Sequence, residues 1–220
     1  MVHNLETSNS LISNYLAEMR DQTVQKDSLR FRTNLERIGT LIAYEISKTL
    51  EYKIEEIQTP LAVSKSNVLK DKIVLATILR AGLPLNNGFL NAFDKAESGF
   101  VTAYRKHTND KEFEVIVEYM SAPKLDNKIL ILSDPMLATG SSMLMAYKAL
   151  LRNGSPKHTH IVSVLASKEA INYLEKHIDS SNFTLWTAAI DPVLTSRSYI
   201  SPGLGDAGDL AFGAKVDHKD

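Results

Sequence analysis

An α/β fold with a mostly parallel twisted sheet flanked by helices is what this sequence predicts, and three features predict it. Short apolar runs at Ile73 to Leu79, Val101 to Tyr104, Ile129 to Leu132, Ile161 to Ala166 and Phe183 to Ile190 have the composition of strands. Helical patterns at Leu83 to Phe93, Ser141 to Asn153 and Lys168 to His177 fall between several of them, which is the order of βαβ units. Phe113, Val115, Val117 and Tyr119 stand at every second position, predicting an antiparallel strand with one wet face.

The remaining elements follow from periodicity and its loss. Leu35, Ile38, Ile42, Ile46 and Leu50 recur every three or four positions with Arg32, Glu36, Arg37 and Lys48 between them, so Ser28 to Leu50 reads as one long amphipathic helix. Residues 1–50 are therefore expected as a helical N-terminal extension, and the alternating segment near Phe113 as an antiparallel β arm. The segment 197–215 is rich in glycine and has little periodicity, which marks a functional loop or a disordered one. A chain of 220 residues buries a sizeable core as a single domain, 1–220, with these elaborations.

Composition excludes several functions. Lysine plus arginine number 25 against 26 acidic residues, a net charge of −1, so the whole surface is not drawn to nucleic acid or to an anionic membrane. An anion site must be local. The absence of cysteine removes disulfides, thiolate metal sites and a cysteine nucleophile, and fits a reducing compartment. No basic stretch leads into an apolar run at the start, and no later run reaches the length of a membrane span, so a soluble cytoplasmic protein is expected.

The chemistry concentrates at Lys128-Ile-Leu-Ile-Leu-Ser-Asp-Pro-Met-Leu-Ala-Thr-Gly-Ser-Ser142, which runs from a buried strand through an acidic turn into a helix start. A helix N-terminus offers unpaired N–H groups and a partial positive charge, Gly140 allows close approach, and Thr139, Ser141 and Ser142 add hydroxyl donors. A phosphate monoester fits such a turn. Asp134, at the carboxyl end of the strand, is placed to accept hydrogen bonds from sugar hydroxyls. The plainer alternative is an ordinary βα turn whose Ser and Thr cap the helix, and spacing does not separate the two. A triphosphate P-loop is set aside because no lysine follows the glycine, and a dinucleotide site because G-x-G-x-x-G is lacking.

Leu132-Ser-Asp-Pro-Met-Leu-Ala-Thr-Gly-Ser-Ser142 resembles the phosphoribosyl-diphosphate loop of the uracil phosphoribosyltransferases. Ile78-Leu-Arg-Ala-Gly-Leu83 is similar to that family's diphosphate loop, and Tyr199-Ile-Ser-Pro-Gly-Leu-Gly-Asp-Ala-Gly-Asp209 with Phe212-Gly213 to its uracil-binding segment. Tyr104-Arg105, Arg30-Phe31-Arg32 and Ala43-Tyr44-Glu45 extend the likeness over most of the chain. Ser141 stands where the family often has a second glycine, Leu83-Pro84 replaces Leu-Gly, and Ser201 and Leu210 differ from the commoner tail residues. None of these changes removes a polar group that the resemblance carries over.

The resemblance implies a type I phosphoribosyltransferase fold with residues 197–215 as a base-binding hood. The implied reaction joins uracil to 5-phospho-α-D-ribose 1-diphosphate, giving UMP and diphosphate in pyrimidine salvage, with Mg²⁺ held mainly by the substrate diphosphate. It places the phosphoribosyl diphosphate against Arg80, Arg105, Asp134, Pro135, Met136, Leu137, Ala138, Thr139, Gly140, Ser141, Ser142 and Asp206. Uracil falls to Tyr199, Ile200, Gly205, Asp206 and Ala207, and the assembly to a homodimer or higher homo-oligomer.

Leaving of diphosphate builds negative charge that fixed cations should meet, and an arginine fork does so bidentately at any working pH. Arg80 and Arg105 are the catalytic candidates on that ground, with a strand-end surface charge and a solvated loop end as their plain alternatives. Asp206 is the third, toward Mg²⁺ or the attacking N1 of the base, against an Asx turn. Orientation and charge stabilisation suffice without a covalent nucleophile. His158-x-His160 reads as surface, Trp186 and the methionines as core or pocket wall, and the charges from Arg30 to Arg37 as a solvated face or a subunit interface. Two other functions were weighed. A non-catalytic, nucleotide-sensing RNA-binding regulator on the same fold is disfavoured by the balanced charge. A purine substrate is disfavoured by a tail with only Tyr199 and Phe212 as aromatic platforms. No separate effector motif, for GTP or another nucleotide, is legible.

Overall fold

The computed structural model describes residues 1–107 and 113–215, and of residues 104–107 and 113–116 it describes the backbone alone. In chain order it contains β1 (Val2–Asn4), α1 (Leu11–Arg20), α2 (Ser28–Ser47), β2 (Tyr52–Gln58), β3 (Val63–Leu69), β4 (Ile73–Leu79) and α3 (Leu83–Ala92). There follow β5 (Glu97–His107), β6 (Phe113–Ser121), β7 (Ile129–Ser133), β8 (Met136–Leu137), α4 (Ser141–Leu150), β9 (His158–Ser167) and α5 (Lys168–His177). The chain ends with β10 (Phe183–Asp191), β11 (Val193–Leu194), β12 (Ile200–Ser201) and α6 (Ala207–Phe212).

The central sheet has the order β1-β10-β9-β7-β4-β5-β6, with β8 continuing along β9. Every neighbour pair is parallel except β5 with β6. This is the predicted mostly parallel sheet, and the antiparallel strand near Phe113 is its edge. Successive side chains of a strand point to opposite faces, so each strand feeds two cores. Leu75, Ile131 and Val164 pack with Leu35, Ile38 and Ile42 of α2 and with Phe89 of α3. Val74, Leu130 and Ile161 pack with Leu144 and Tyr147 of α4 and with Leu174 of α5.

The long amphipathic helix is α2, started by Asp27, whose side chain accepts from Arg30 N at 3.0 Å. It ends at Ser47, three residues short of the expected Leu50. Two elements went unread in the sequence. The N-terminal segment, expected as helical, opens with β1, which pairs in parallel with β10 at the edge of the sheet. A second antiparallel arm, β2 with β3, stands apart from the sheet and leaves Ile54, Leu61 and Val63 exposed.

The surface role expected for His158 and His160 is corrected. Both belong to β9, and His160 is only 4% exposed. Its Nδ1 accepts from Trp186 Nε1 at 3.1 Å, and the indole stacks on His3 with ring centroids 4.0 Å apart. Lys157 ahead of the pair gave a solvent-facing look to residues that parallel pairing with β7 and β10 covers on both sides. Burial first, then the neighbouring His158 and His3, hold the His160 pKa at about 3.

A histidine whose folded pKa lies below its ordinary 6.5 binds its proton more readily once unfolded. The stability it gives is complete above pH 6.5 and declines toward the folded value, by about 1.4 kcal/mol per pH unit. His160→Gln, which keeps an acceptor for Trp186, should flatten the fall of Tm between pH 6.5 and about pH 5. Thermal unfolding of both proteins across that window checks it, and parallel curves would assign the acid sensitivity to other groups.

Candidate active site

β4 and β7 are neighbours in the middle of the sheet, yet the chain leaves them on opposite sides. After β4 it turns into α3, whose Leu85 and Phe89 join the core under α2. After β7 it turns into α4, whose Leu144 and Tyr147 join the opposite core. Such a divergence opens a crevice at the carboxyl ends of the two strands, where open α/β sheets bind ligands.

The two turns are fastened to each other. Thr77 Oγ1 donates to the Ser133 carbonyl at 3.0 Å, and Ser133 Oγ donates back to Thr77 Oγ1 at 3.1 Å, both residues being buried. Gly82 lies on this junction so closely that a Cβ there would sit 2.0 Å from Thr77 Oγ1 and 3.2 Å from the Ser133 carbonyl oxygen. The Arg80-Ala81-Gly82 loop, entered through a cis Leu79–Arg80 peptide, is therefore held over the end of β7. Arg80 itself is exposed, and its Nη2 donates to Asp209 Oδ1 at 3.2 Å and to the Gly213 carbonyl at 3.1 Å.

Beyond β7 the chain is laced onto β9. Asp134 N donates to the Val162 carbonyl, and the Pro135 carbonyl accepts from both Val164 N and Leu165 N. Met136–Leu137 form β8, and Ser167 Oγ donates to the Ala138 carbonyl at 2.6 Å. Gly140 then turns left-handed, at φ 82°, in the N-cap position of α4. It has no side chain to offer the first-turn N–H groups, and Thr139 Oγ1 reaches only Ser141 N, at 3.4 Å, while pairing with Ser141 Oγ at 2.8 Å. Of the hydroxyls named in the capped-turn alternative, Thr139 alone meets a first-turn N–H, and it does so at a long distance. The turn thus sets Gly140 and the hydroxyls of Thr139, Ser141 and Ser142 at the head of α4, where a helix start carries partial positive charge.

The glycine-rich tail forms the third wall. It contains the strand pair β11–β12, the cis Ser201–Pro202 peptide and the short helix α6. The expectation of little regular structure there missed α6, which Asp206 starts by accepting from Asp209 N at 3.0 Å. The Asx-type role weighed for Asp206 is present, and its second oxygen faces Lys215 Nζ at 3.3 Å. Burial pushes its pKa up, but the Asp209 N–H and the Lys215 ammonium outweigh it and hold the carboxyl below its ordinary value. α6 meets the Arg80 loop: a Cβ on Gly208 would stand 3.8 Å from Ala81 Cβ and 3.9 Å from Arg80 Nη2.

Of the remaining expected base contacts, Ile200 and Ala207 are buried while Tyr199 and Gly205 are exposed. Arg105 lies on β5, three residues past Thr102, the partner of Leu79, and so at the carboxyl edge of the sheet. Its side chain is outside the described residues. Among the described residues no group of three or more His, Asp or Glu could hold a metal.

The tail is held by Arg32, which the sequence offered only within the Arg30-Phe31-Arg32 likeness and as part of a solvated face or subunit interface, and by Arg20 and Asp191, which went unread. Arg32 Nη1 donates to the Ala211 carbonyl at 2.6 Å, with its guanidinium 6.0 Å from the Phe212 ring centre. Arg20 pairs with Asp191 and reaches the Gly203 carbonyl. A helical stripe reports which residues are buried and is silent about where a long cation lands, so Arg32 read as solvated.

A family model described as uracil phosphoribosyltransferase matches residues 6–214. A uracil phosphoribosyltransferase of Porphyromonas gingivalis is 53% identical over 215 residues, covering 98% of this chain and 99% of that protein. One from Methanothermobacter thermautotrophicus is 38% identical over 194 residues and 87% of each chain. Among solved structures, the AQ2163 protein of Aquifex aeolicus superposes with a TM-score of 0.87 at 30% identity, over 98% of this chain and 100% of that one. A Staphylococcus aureus hypoxanthine phosphoribosyltransferase, at 14% identity and a TM-score of 0.51 over 84% and 83%, shares the fold.

A side chain at Gly140 would strain a left-handed position by about 1–2 kcal/mol and press on Tyr173 and Ala170. Gly140→Ala should weaken binding of ribose 5-phosphate about tenfold by calorimetry, whereas Ser141→Ala, which leaves the backbone donors, should stay within about threefold. The reverse ranking would move the phosphate off the helix start and onto the hydroxyls.

Proposed function

The chain belongs to the uracil phosphoribosyltransferase family, and from that premise we propose how its own residues move a phosphoribosyl group from 5-phospho-α-D-ribose 1-diphosphate to uracil, giving UMP and diphosphate. The observation that carries the assignment of roles is the meeting of three loops at the β4–β7 crevice, with Arg80 already resting on the hood helix at Asp209.

In this reading the backbone N–H groups of residues 139–142, at the head of α4, bind the 5′-phosphate, and Asp134 accepts from the ribose hydroxyls. Arg80 and the Ala81-Gly82 backbone receive the diphosphate, with Arg105 approaching from the neighbouring strand. Mg²⁺ enters on the diphosphate as part of the substrate and neutralises charge on the leaving group. As the bond from the anomeric carbon to the diphosphate oxygen lengthens, the arginine takes up the growing negative charge. The flat base lies against Ile200, Gly205 and Ala207, with Tyr199 at the rim. Asp206 stays ionised at neutral pH, which suits it to accept the N1–H hydrogen bond and to face the positive ribose ring rather than to act as a strong base.

Arg80 cannot hold Asp209 and diphosphate oxygens with the same N–H, so substrate binding exchanges one for the other. A homodimer or larger homo-oligomer is proposed as the working assembly, supported by the exposed apolar side chains of β2 and β3. A cytoplasmic location is proposed with it, in keeping with the cysteine-free sequence. No helix among the described residues is long and apolar enough to cross a membrane.

UMP formation from labelled uracil, phosphoribosyl diphosphate and Mg²⁺, run beside cytosine, orotate and hypoxanthine, should proceed with uracil. Arg80→Ala should lower kcat/KM by about 10²–10³-fold. Asp209→Asn, which releases Arg80 from an exposed pair worth about 0.2–1 kcal/mol, should tighten diphosphate binding up to about fivefold. Full activity in Arg80→Ala would remove that residue from the mechanism.

A further inference from the structure

We infer that Arg20, on a helix that takes no part in the crevice, is a positioning residue for base recognition, acting through Asp191 and the Gly203 backbone. This rests on the reading that the segment from Ile200 to Ala207 receives uracil. It adds a determinant of base affinity that lies outside that segment.

The geometry is a closed set of contacts. Asp191 is the last residue of β10 and is 4% exposed. Arg20, the last residue of α1, donates Nη2 to Asp191 Oδ1 and Nη1 to Asp191 Oδ2, both at 2.8 Å. Asp191 Oδ2 also accepts from Gly203 N at 2.8 Å, and Arg20 Nη1 donates to the Gly203 carbonyl at 3.1 Å. One guanidinium and one carboxylate thereby bind both backbone groups of a single residue. Between Asp191 and Gly203 the chain makes its excursion through β11 and β12, so this cluster is the neck at which the excursion closes.

Closure at Gly203 is transmitted to the base segment by contact. Gly203 turns left-handed, at φ 61°, and a Cβ there would lie 2.0 Å from the Ile200 carbonyl oxygen. The left-handed turn thus seats Gly203 against the Ile200 carbonyl, and the chain then runs directly through Leu204 and Gly205 to Asp206. Charge by itself does not account for the arrangement. An ammonium could neutralise Asp191, but only a planar fork meets two carboxylate oxygens and a carbonyl together. The phosphate loop and the backbone of the Arg80 loop are fastened elsewhere, along β9 and at the Thr77–Ser133 junction, and the Arg80 side chain meets the tail only at α6 and beyond, past the base segment, so loosening the neck should spare them.

The test is steady-state kinetics of the full-length enzyme with each substrate varied in turn. Arg20→Lys, which keeps the charge, should raise the KM for uracil about tenfold, leave the KM for phosphoribosyl diphosphate within twofold, and unfold within a few degrees of the wild type. Added guanidinium ion should restore uracil affinity to Arg20→Ala, a rescue that a general loss of stability would not show. Equal changes in both KM values, or an unchanged KM for uracil in Arg20→Lys, would overturn the inference. Ile200→Ala separates it from the reading beneath it. If that variant leaves the KM for uracil untouched, the base segment itself is misassigned and the inference falls with it. If Ile200→Ala raises the KM for uracil and Arg20→Lys does not, the segment stands and Arg20 alone is excluded.

Discussion

The site hangs from one buried hydrogen-bonded junction, Thr77 with Ser133, at the point where β4 and β7 send their chains to opposite faces of the sheet. Parallel strands place their carboxyl ends side by side, and the divergence of α3 and α4 leaves the space above those ends free of backbone. Two hydroxyls without partners there would carry a desolvation penalty, and instead Thr77 donates to the Ser133 carbonyl while Ser133 donates to the Thr77 hydroxyl. Because Gly82 lies against them, the loop bearing Arg80 takes its position from the same pair that fixes the start of the Asp134 loop. The two ligand-bearing turns share one anchor, so their separation is set by the sheet.

The tail is fastened differently. It follows β10 far along the sheet from β4, and it returns to the crevice through contacts made by long cations. Arg20 gathers Asp191 and Gly203, Arg32 reaches the carboxyl end of α6, and Arg80 touches Asp209 and Gly213. A fork that donates to a carbonyl at a helix end satisfies an orphan acceptor and suits the helix dipole. The guanidinium stems also cover apolar surface on the way, which is how a chain with a net charge of −1 commits several arginines to internal fastening. The Arg80 contact differs from the other two in being exposed and therefore exchangeable for a ligand.

Most of the sheet was legible in residue order because both cores demand apolar side chains on both faces of its inner strands. Ile73 to Leu79 and Ile129 to Leu132 read as apolar runs for that reason, and the helical pattern of Lys168 to His177 matches α5 to the residue. The arm formed by β2 and β3 escaped because it is largely exposed, with Leu69 at its end packing on the core, so burial printed little pattern on Tyr52–Gln58 or Val63–Leu69. β1 escaped because three residues at a sheet edge are too few to show a period. Asp206 shows the limit for side chains. Its sequence neighbours admit both a helix cap and a ligand contact, and the fold uses one oxygen for the cap while the other meets Lys215 Nζ.

By itself the sequence determined the fold class, offered the turn at 134–142 as a candidate phosphate site beside a plain capped turn, and carried the family resemblance of that turn and of the Arg80 and 199–209 segments. Each of these is written in contiguous residues, through period, turn chemistry or a run of backbone donors. Only the tertiary structure decided that Gly140 takes the N-cap position of α4, that His160 is interior, and that Arg20, Arg32 and Asp191 hold the glycine-rich tail. Those outcomes depend on residues far apart in the chain, 171 positions for Arg20 and Asp191. Local propensity carries no term for such pairs, and they exist only once the sheet has brought the carboxyl end of β10 beside the end of α1.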